Sequence, residues 1–149
     1  MQASEFDLGP PLAEGEWAGW STWAAIEPFE EHVGPFYARR AEDGGMMCGC
    51  TVGEVNLNGG GSVHGGSLMT FADYSLFLIA YDQLRGLPSV TVTLNAEFLS
   101  GAPLGSRLIS RGEVTKAGRS LLFVRGIIEA SATPVLSFSG VLKILRPKG

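Results

Sequence analysis

Between positions 58 and 73 the chain carries Asn58, three consecutive glycines, His64, the pair Gly65-Gly66 and then Asp73. Asp73 is surrounded by Leu68, Met69, Phe71, Ala72, Tyr74, Leu76, Phe77, Leu78 and Ile79, so its carboxylate is expected to be at least partly buried. A carboxylate in such surroundings needs a partner, a raised pKa or a chemical task. Capping a neighbouring element or pairing with a base would be a purely structural use. Gly65 and Gly66 stand where a helix would begin, and the first amides of a helix lack intrahelical partners and lie at the positive end of its dipole. Donors without side chains at that spot can hold the oxygen of a carbonyl under attack, as an oxyanion hole does. A tight turn or a phosphate cradle would use the same glycines. The Walker A form of cradle is excluded, because no Gly-Lys-Ser/Thr follows.

Spacing constrains any cooperation between these groups. Gly65 and Asp73 are eight residues apart, roughly 12 Å along one helix, too far to act on one carbon. If they work together, the second group must come from another copy of the chain, with two helices antiparallel and each Asp73 near the partner's Gly65. A catalytic reading therefore predicts a symmetric dimer with paired sites.

The elements that must hold these residues follow from periodicity. Positions 36–40 and 46–55 read as strands joined by the turn-prone Glu42-Asp43-Gly44-Gly45. Positions 67–84 form one long apolar helix bounded by Gly86 and Pro88. In 89–99, Val90, Val92, Leu94, Ala96 and Phe98 alternate with polar residues, the pattern of a half-buried strand. Three further strands are expected at 107–115, 120–130 and 135–145. Hairpin, helix and meander together suggest an α+β fold, an antiparallel sheet with one apolar helix across it. Residues 1–35 contain Pro10, Pro11, Pro28 and Pro35 with Trp17, Trp20 and Trp23, which could share a face of a short helix. They are read as an extension packed on a domain spanning 36–149, with a lid over an apolar pocket as the functional alternative.

Composition sets the outer bounds. With 149 residues, 45% hydrophobic and 17% charged, the chain has the material for one domain with a core. No uncharged run is long enough to span a bilayer, and no basic leader precedes an apolar stretch at the N-terminus, so a cytoplasmic protein with no membrane partner is expected. Net charge is -4, which argues against nucleic acid as the main partner. Positions 107–149 nevertheless carry eight bases against Glu113 and Glu129, compatible with a small polyanionic ligand. Cys48 and Cys50 sit two apart without a zinc-type histidine spacing and read as small buried residues, so neither a metal nor a disulfide is expected.

The run Asn58-x-x-Gly61-x-x-His64-Gly65-Gly66, followed by Asp73 and by Val90-Thr91-Val92-Thr93-Leu94-Asn95, resembles the phenylacetate-pathway (PaaI-like) branch of the hotdog-fold acyl-CoA thioesterases. The resemblance covers positions 36–145. It implies the hotdog fold, an antiparallel sheet wrapped around one long central helix, in homodimers often paired into homotetramers. It implies hydrolysis of an acyl-CoA to free acid and coenzyme A without a cofactor. Carried over residue by residue, it puts Asn58 and the Gly65 amide at the thioester carbonyl, makes Asp73 of the partner copy the base or nucleophile, and makes Thr91 a hydroxyl that positions water or the acid. Thr91 departs from the serine often found there, keeping the hydroxyl and adding a methyl. His64 and Gly66 belong to the motif as substrate-side residues, with His64 expected mainly to hold the loop. Lys116, Arg119 and Arg146 are candidates for coenzyme A phosphates, although lone surface bases are often merely solvated. A hotdog hydratase or dehydratase using His64, and a non-catalytic acyl-CoA-binding protein, are the competing functions. Phe71, Tyr74, Phe77 and the tryptophans are compatible with an aromatic or medium-chain acyl group, and equally with a plain core.

Overall fold

The computed structural model describes residues 7–147. Positions 1–6 of the extension, and Lys148 and Gly149 at the end of the basic C-terminal third, lie outside the described residues. Six strands, β1 (Tyr37–Arg40), β2 (Met46–Thr51), β3 (Ser89–Phe98), β4 (Arg107–Ala117), β5 (Leu121–Ala130) and β6 (Thr133–Ile144), accompany three helices, α1 (Pro28–Val33), α2 (Gly65–Ile79) and α3 (Tyr81–Leu84). The strands form one sheet in the order β1-β2-β4-β5-β6-β3, every neighbouring pair antiparallel. The expected hairpin joins β1 to β2, and α2 packs along the sheet's inner face, burying Leu68, Phe71, Ala72, Ser75, Leu76 and Leu78. Burying each such leucine contributes about 1.5 to 3 kcal/mol, so the helix is held by the sheet rather than by intrinsic propensity.

Glycines set how closely helix and sheet approach. A Cβ at Gly140 would lie 2.5 Å from Leu76 Cδ1, and one at Gly112 would lie 2.7 Å from Ile79 Cδ1. Both distances are far inside van der Waals contact, so these strand positions admit only glycine while α2 stays where it is. The helix differs from the sequence expectation at both ends. It begins at Gly65 rather than 67, because His64 caps it, and it is interrupted at Ala80 before the short α3 completes the run to Leu84. There Arg85 takes a left-handed φ of 51° and stops the helix.

The first half of β3 is also corrected. Strict alternation would place Thr91 on the polar outer face with Val90 and Val92 inside. The register to β6 instead pairs Thr91 with Leu142 and then Thr93 with Val141, a bulge between them. The bulge inverts the phase. Thr91 turns toward the helix, while Val90 and Val92 are left exposed. β3 is an edge strand of the sheet.

The tryptophans do not share a helix. Gly15 and Gly19 adopt φ of 94° and 86°, and the chain doubles back so that Leu12 and Gly9 amides bond the Trp20 and Thr22 carbonyls. This hairpin docks on the β1 edge through two bonds between Ser21 and Ala38. Trp17 lies on the sheet's outer face against Gly49, where a Cβ would sit 2.3 Å from its ring. It stacks on Tyr37, donates its indole N–H to Thr51 Oγ1 at 3.0 Å, and carries the Arg107 guanidinium 3.8 Å over its ring. The extension then continues into α1, an element that periodicity did not predict because no apolar stripe marks its six residues.

Candidate active site

The glycine-rich segment is a tight, self-bonded loop. Asn58 Oδ1 accepts from the Gly60 and Ser62 amides at 2.9 and 3.1 Å, and Gly61 closes the turn with a φ of 83°. Both lone-pair directions of the amide oxygen are thereby used, and the Asn58 NH2 group remains as an outward donor. Val63 donates to the Ala102 carbonyl, which ties the loop to the segment after β3.

Asn56, which the sequence reading missed, holds the base of this loop. It is buried, accepts from Gly53 N through Oδ1, and donates through Nδ2 to the Val33 carbonyl and to Ser67 Oγ. Its own carbonyl takes the His64 amide. One side chain thus joins the end of α1, the start of α2 and the loop between. Only its position two residues before Asn58 hinted at it, and a buried amide cannot be told from an exposed one by type.

At the helix start the two glycine amides separate in role. His64 is the N-cap residue, and its Nδ1 accepts from Gly66 N at 2.8 Å. An accepting Nδ1 carries no proton, so the neutral ring holds its hydrogen on Nε2. The Gly66 donor is consumed by that cap. The Gly65 amide makes no bond among the described residues, and it sits at the positive end of α2 with its Cα side against Phe98 of β3.

Asp73 lies two turns further along α2, half-buried on the stripe Gly66-Met69-Thr70-Asp73-Phe77 that the sheet leaves partly open. Its Oδ1 accepts from Thr91 Oγ1 at 2.6 Å. The structure therefore brings Asp73 and Thr91 together and keeps Gly65, Gly66, His64 and Asn58 at the other end of the helix. α2 and β3 run in opposite senses: Asp73 meets the start of β3 at Thr91, and Gly65 meets its end at Phe98.

Lys116 and Arg119 lie exposed at the turn between β4 and β5, and the Arg119 carbonyl accepts from Arg146 Nη2 at 2.9 Å. Arg85 and Arg146 line a cleft of about 460 Å3 beside this turn. The row Thr91, Leu142, Leu122, Ala117 crosses the sheet from β3 to β4, so the basic turn is three strand spacings, about 14 Å, from Thr91. Cys48 and Cys50 are buried free thiols, both pushed up by desolvation, Cys48 to about 12, and inert as nucleophiles in that state. No group of three or more metal-ligating side chains occurs among the described residues, and no helix among them is long and apolar enough to cross a membrane.

A helix-borne carboxylate tied to a hydroxyl, a free amide at the helix start and an antiparallel sheet curled round that helix define a hotdog-fold hydrolase. Comparison with known proteins agrees. The Thioesterase superfamily profile matches residues 60–136. The Homo sapiens acyl-coenzyme A thioesterase 13 is 30% identical over 112 residues, 75% of this chain and 80% of that protein. The phenylacetic acid degradation protein PaaI of Thermus thermophilus, solved as a mutant, superposes with a TM-score of 0.69 at 24% identity, covering 80% of this chain and 100% of the other. A Streptococcus mutans protein crystallised with acetyl CoA bound gives a TM-score of 0.70 at 22% identity, over 85% and 98% of the two chains. The chain belongs to the thioesterase superfamily and is a thioester hydrolase.

Proposed function

We propose that the protein is a cytoplasmic acyl-CoA thioesterase acting on an aromatic or medium-chain acyl-CoA, with each active site shared between two subunits. The observation that carries the shared site is the opposed run of α2 and β3. Asp73 with Thr91 and Gly65 with Phe98 mark opposite ends of an edge strand that exposes Val92 at 54% and Phe98 at 57%. Pairing two such edges about a two-fold axis would bring the Thr91 end of one strand beside the Phe98 end of the other, and so Asp73 beside the partner's Gly65 and Asn58. It would also cover an apolar edge that a monomer leaves to water. Such dimers pair into tetramers, and the catalytic domain begins at Phe36.

In this site the Gly65 amide and the Asn58 NH2 hold the thioester oxygen as negative charge develops on it. Asp73 attacks the carbonyl carbon or takes a proton from the attacking water, and the Thr91 hydroxyl fixes the carboxylate's aim. The carbon–sulfur bond breaks, coenzyme A leaves as thiolate and is protonated, and the acid is released, directly where water attacked, or after water cleaves the Asp73 anhydride where the carboxylate attacked. His64 keeps the loop in register through its cap to Gly66 and can offer Nε2–H to the substrate. Lys116 and Arg119, with Arg146 and Arg85 nearby, lie at a distance from Thr91 that an extended pantetheine arm spans, and they suit its phosphates.

The test is Asp73→Asn, which preserves shape and removes the base. Thiol release is expected to lose about 10^2 to 10^4-fold in kcat with KM little changed. Turnover retained by the variant on every thioester that the wild type cleaves would remove Asp73 from the mechanism.

A further inference from the structure

A cavity of about 270 Å3 lies beneath the N-terminal extension, walled by Trp23, Pro35 and Phe36 and bounded on the helix side by Tyr74. Glu27, Glu30 and Glu31 also line it. Eight of its nine lining residues precede position 60, where the family match begins.

Two polar groups there lack a full set of partners. Tyr74 is 1% exposed, and its hydroxyl makes no hydrogen bond among the described residues. Such a group costs about 1 to 3 kcal/mol when left unpaired, and its oxygen is closed to the cavity, so the ring and not the hydroxyl forms the wall. Glu30 accepts the Trp23 indole N–H on Oε1 at 3.0 Å, and its second oxygen has no bonded partner among the described residues. The cavity adjoins the chemistry, because Tyr74 follows Asp73 on α2 and Trp23 packs edge-on against Tyr74 with ring centres 5.7 Å apart.

We propose that this cavity receives the acyl group of the substrate and that Glu30 selects acyl groups ending in an uncharged hydrogen-bonding group, such as an ω-hydroxyacyl chain. The inference rests on the acyl-CoA reading above. A dry cavity of about 150 Å3 already holds a benzene ring, so this one accepts a chain of about six to eight carbons. Desolvation is the largest of the effects that push the Glu30 carboxyl up to about 7, with Glu27 and Asp73 adding to it and the Trp23 N–H opposing it. A spot so poorly hydrated penalises a charged terminus, and Glu27, Glu31 and Asp73 would repel an anionic one. A hydroxyl can donate to the free Glu30 oxygen.

The experiment compares thiol release from 6-hydroxyhexanoyl-CoA and heptanoyl-CoA, which differ by hydroxyl against methyl, in the full chain and in Tyr74→Phe and Glu30→Met. For the wild type the kcat/KM ratio of hydroxyl over methyl is expected to be at least about 10, since a site built to bond a hydroxyl rejects the analogue lacking it. Glu30→Met should bring that ratio toward one, whereas Tyr74→Phe, which removes an oxygen closed to the cavity and keeps the fold, should leave it unchanged. A wild-type ratio of one or less, or a ratio that Glu30→Met does not move, overturns the proposal while leaving the thioesterase intact. If the wild type releases no thiol from any acyl-CoA, it is the acyl-CoA reading that fails. The cavity is then judged by titrating 6-hydroxyhexanoate and heptanoate against tryptophan fluorescence, to which Trp23 in its wall contributes. Tighter binding of the hydroxy acid supports the polar subsite, and equal binding overturns it.

Discussion

At the scale of single residues, the contact between Thr91 Oγ1 and Asp73 Oδ1 is the shortest link in the proposed site. A hydrogen bond to an ionised group contributes about 1.5 to 3 kcal/mol, so Thr91→Val is expected to lower kcat/KM by about 10 to 150-fold. Thr91→Ser keeps the donor and should stay near wild type. Steady-state kinetics on both variants checks this, and a loss in Thr91→Ser with none in Thr91→Val would mean that the methyl rather than the hydroxyl matters. Residue types and spacing made Asp73, Gly65 and the loop around them legible, because a carboxylate in an apolar helix and glycines before it are chemically unusual. The sequence did not reveal how Thr91 reaches Asp73. Simple alternation puts Thr91 on the outer face, and only the bulge at Thr91/Thr93 turns it inward. Nor could spacing tell the two glycine amides apart: His64 Nδ1 takes one and leaves the other.

At the scale of elements, the five long pieces of secondary structure announced themselves through period two or through an apolar run, and their order was readable. The short N-terminal pieces were not. α1 has six residues, Glu30 and Glu31 in its first turn and no buried side chain, so it carries no periodic signal. The tryptophans, spaced three apart, mimicked a helical stripe while Gly15 and Gly19 bent the chain into a hairpin. What fixes α1 is its setting, and Glu30 is where this can be measured. Its carboxyl faces Trp23 and Glu27 from the extension, Asp73 and Tyr74 from α2, and Cys48 from β2. Its pKa rises from 4.5 to about 7 on folding. Between those values the folded chain keeps a proton that the unfolded chain has released, so this group makes stability fall as pH rises through that window and adds no further change above it. Glu30→Gln removes the titration. The variant is therefore expected to gain in denaturation midpoint relative to wild type between pH 4.5 and pH 8, with the gain complete once the pH exceeds about 7. A difference that stays constant across that range would mean that Glu30 is no more desolvated in the folded chain than in the unfolded one.

At the scale of the whole molecule, one helix cannot supply both halves of the proposed site. The eight-residue interval between Gly65 and Asp73 predicted as much from sequence, since it amounts to roughly 12 Å of helix. The opposed directions of α2 and β3 add a reason that no spacing contained. The end of β3 beside Asp73 and the end beside Gly65 would face each other when two copies join edge to edge, and the exposed Val90, Val92 and Phe98 supply an apolar seam. Sharing can be tested without seeing the interface. Asp73→Asn and Asn58→Ala chains are each expected to be nearly inactive alone. When they are unfolded together and refolded as a mixture, random association makes about half of the dimers mixed, and each mixed dimer carries one intact site out of two, so about a quarter of wild-type activity should return. The intact site in such a dimer pairs Asp73 of the Asn58→Ala chain with Asn58 of the Asp73→Asn chain. If Asp73 and Asn58 instead served the same site from one chain, no mixture would restore activity, because every site would lack one of them. Thiol release from the refolded mixture therefore separates the two arrangements directly. Introducing Val92→Glu into both chains should abolish the recovery, since it sets a charge into the apolar seam of the paired edges; light scattering would then report a monomer.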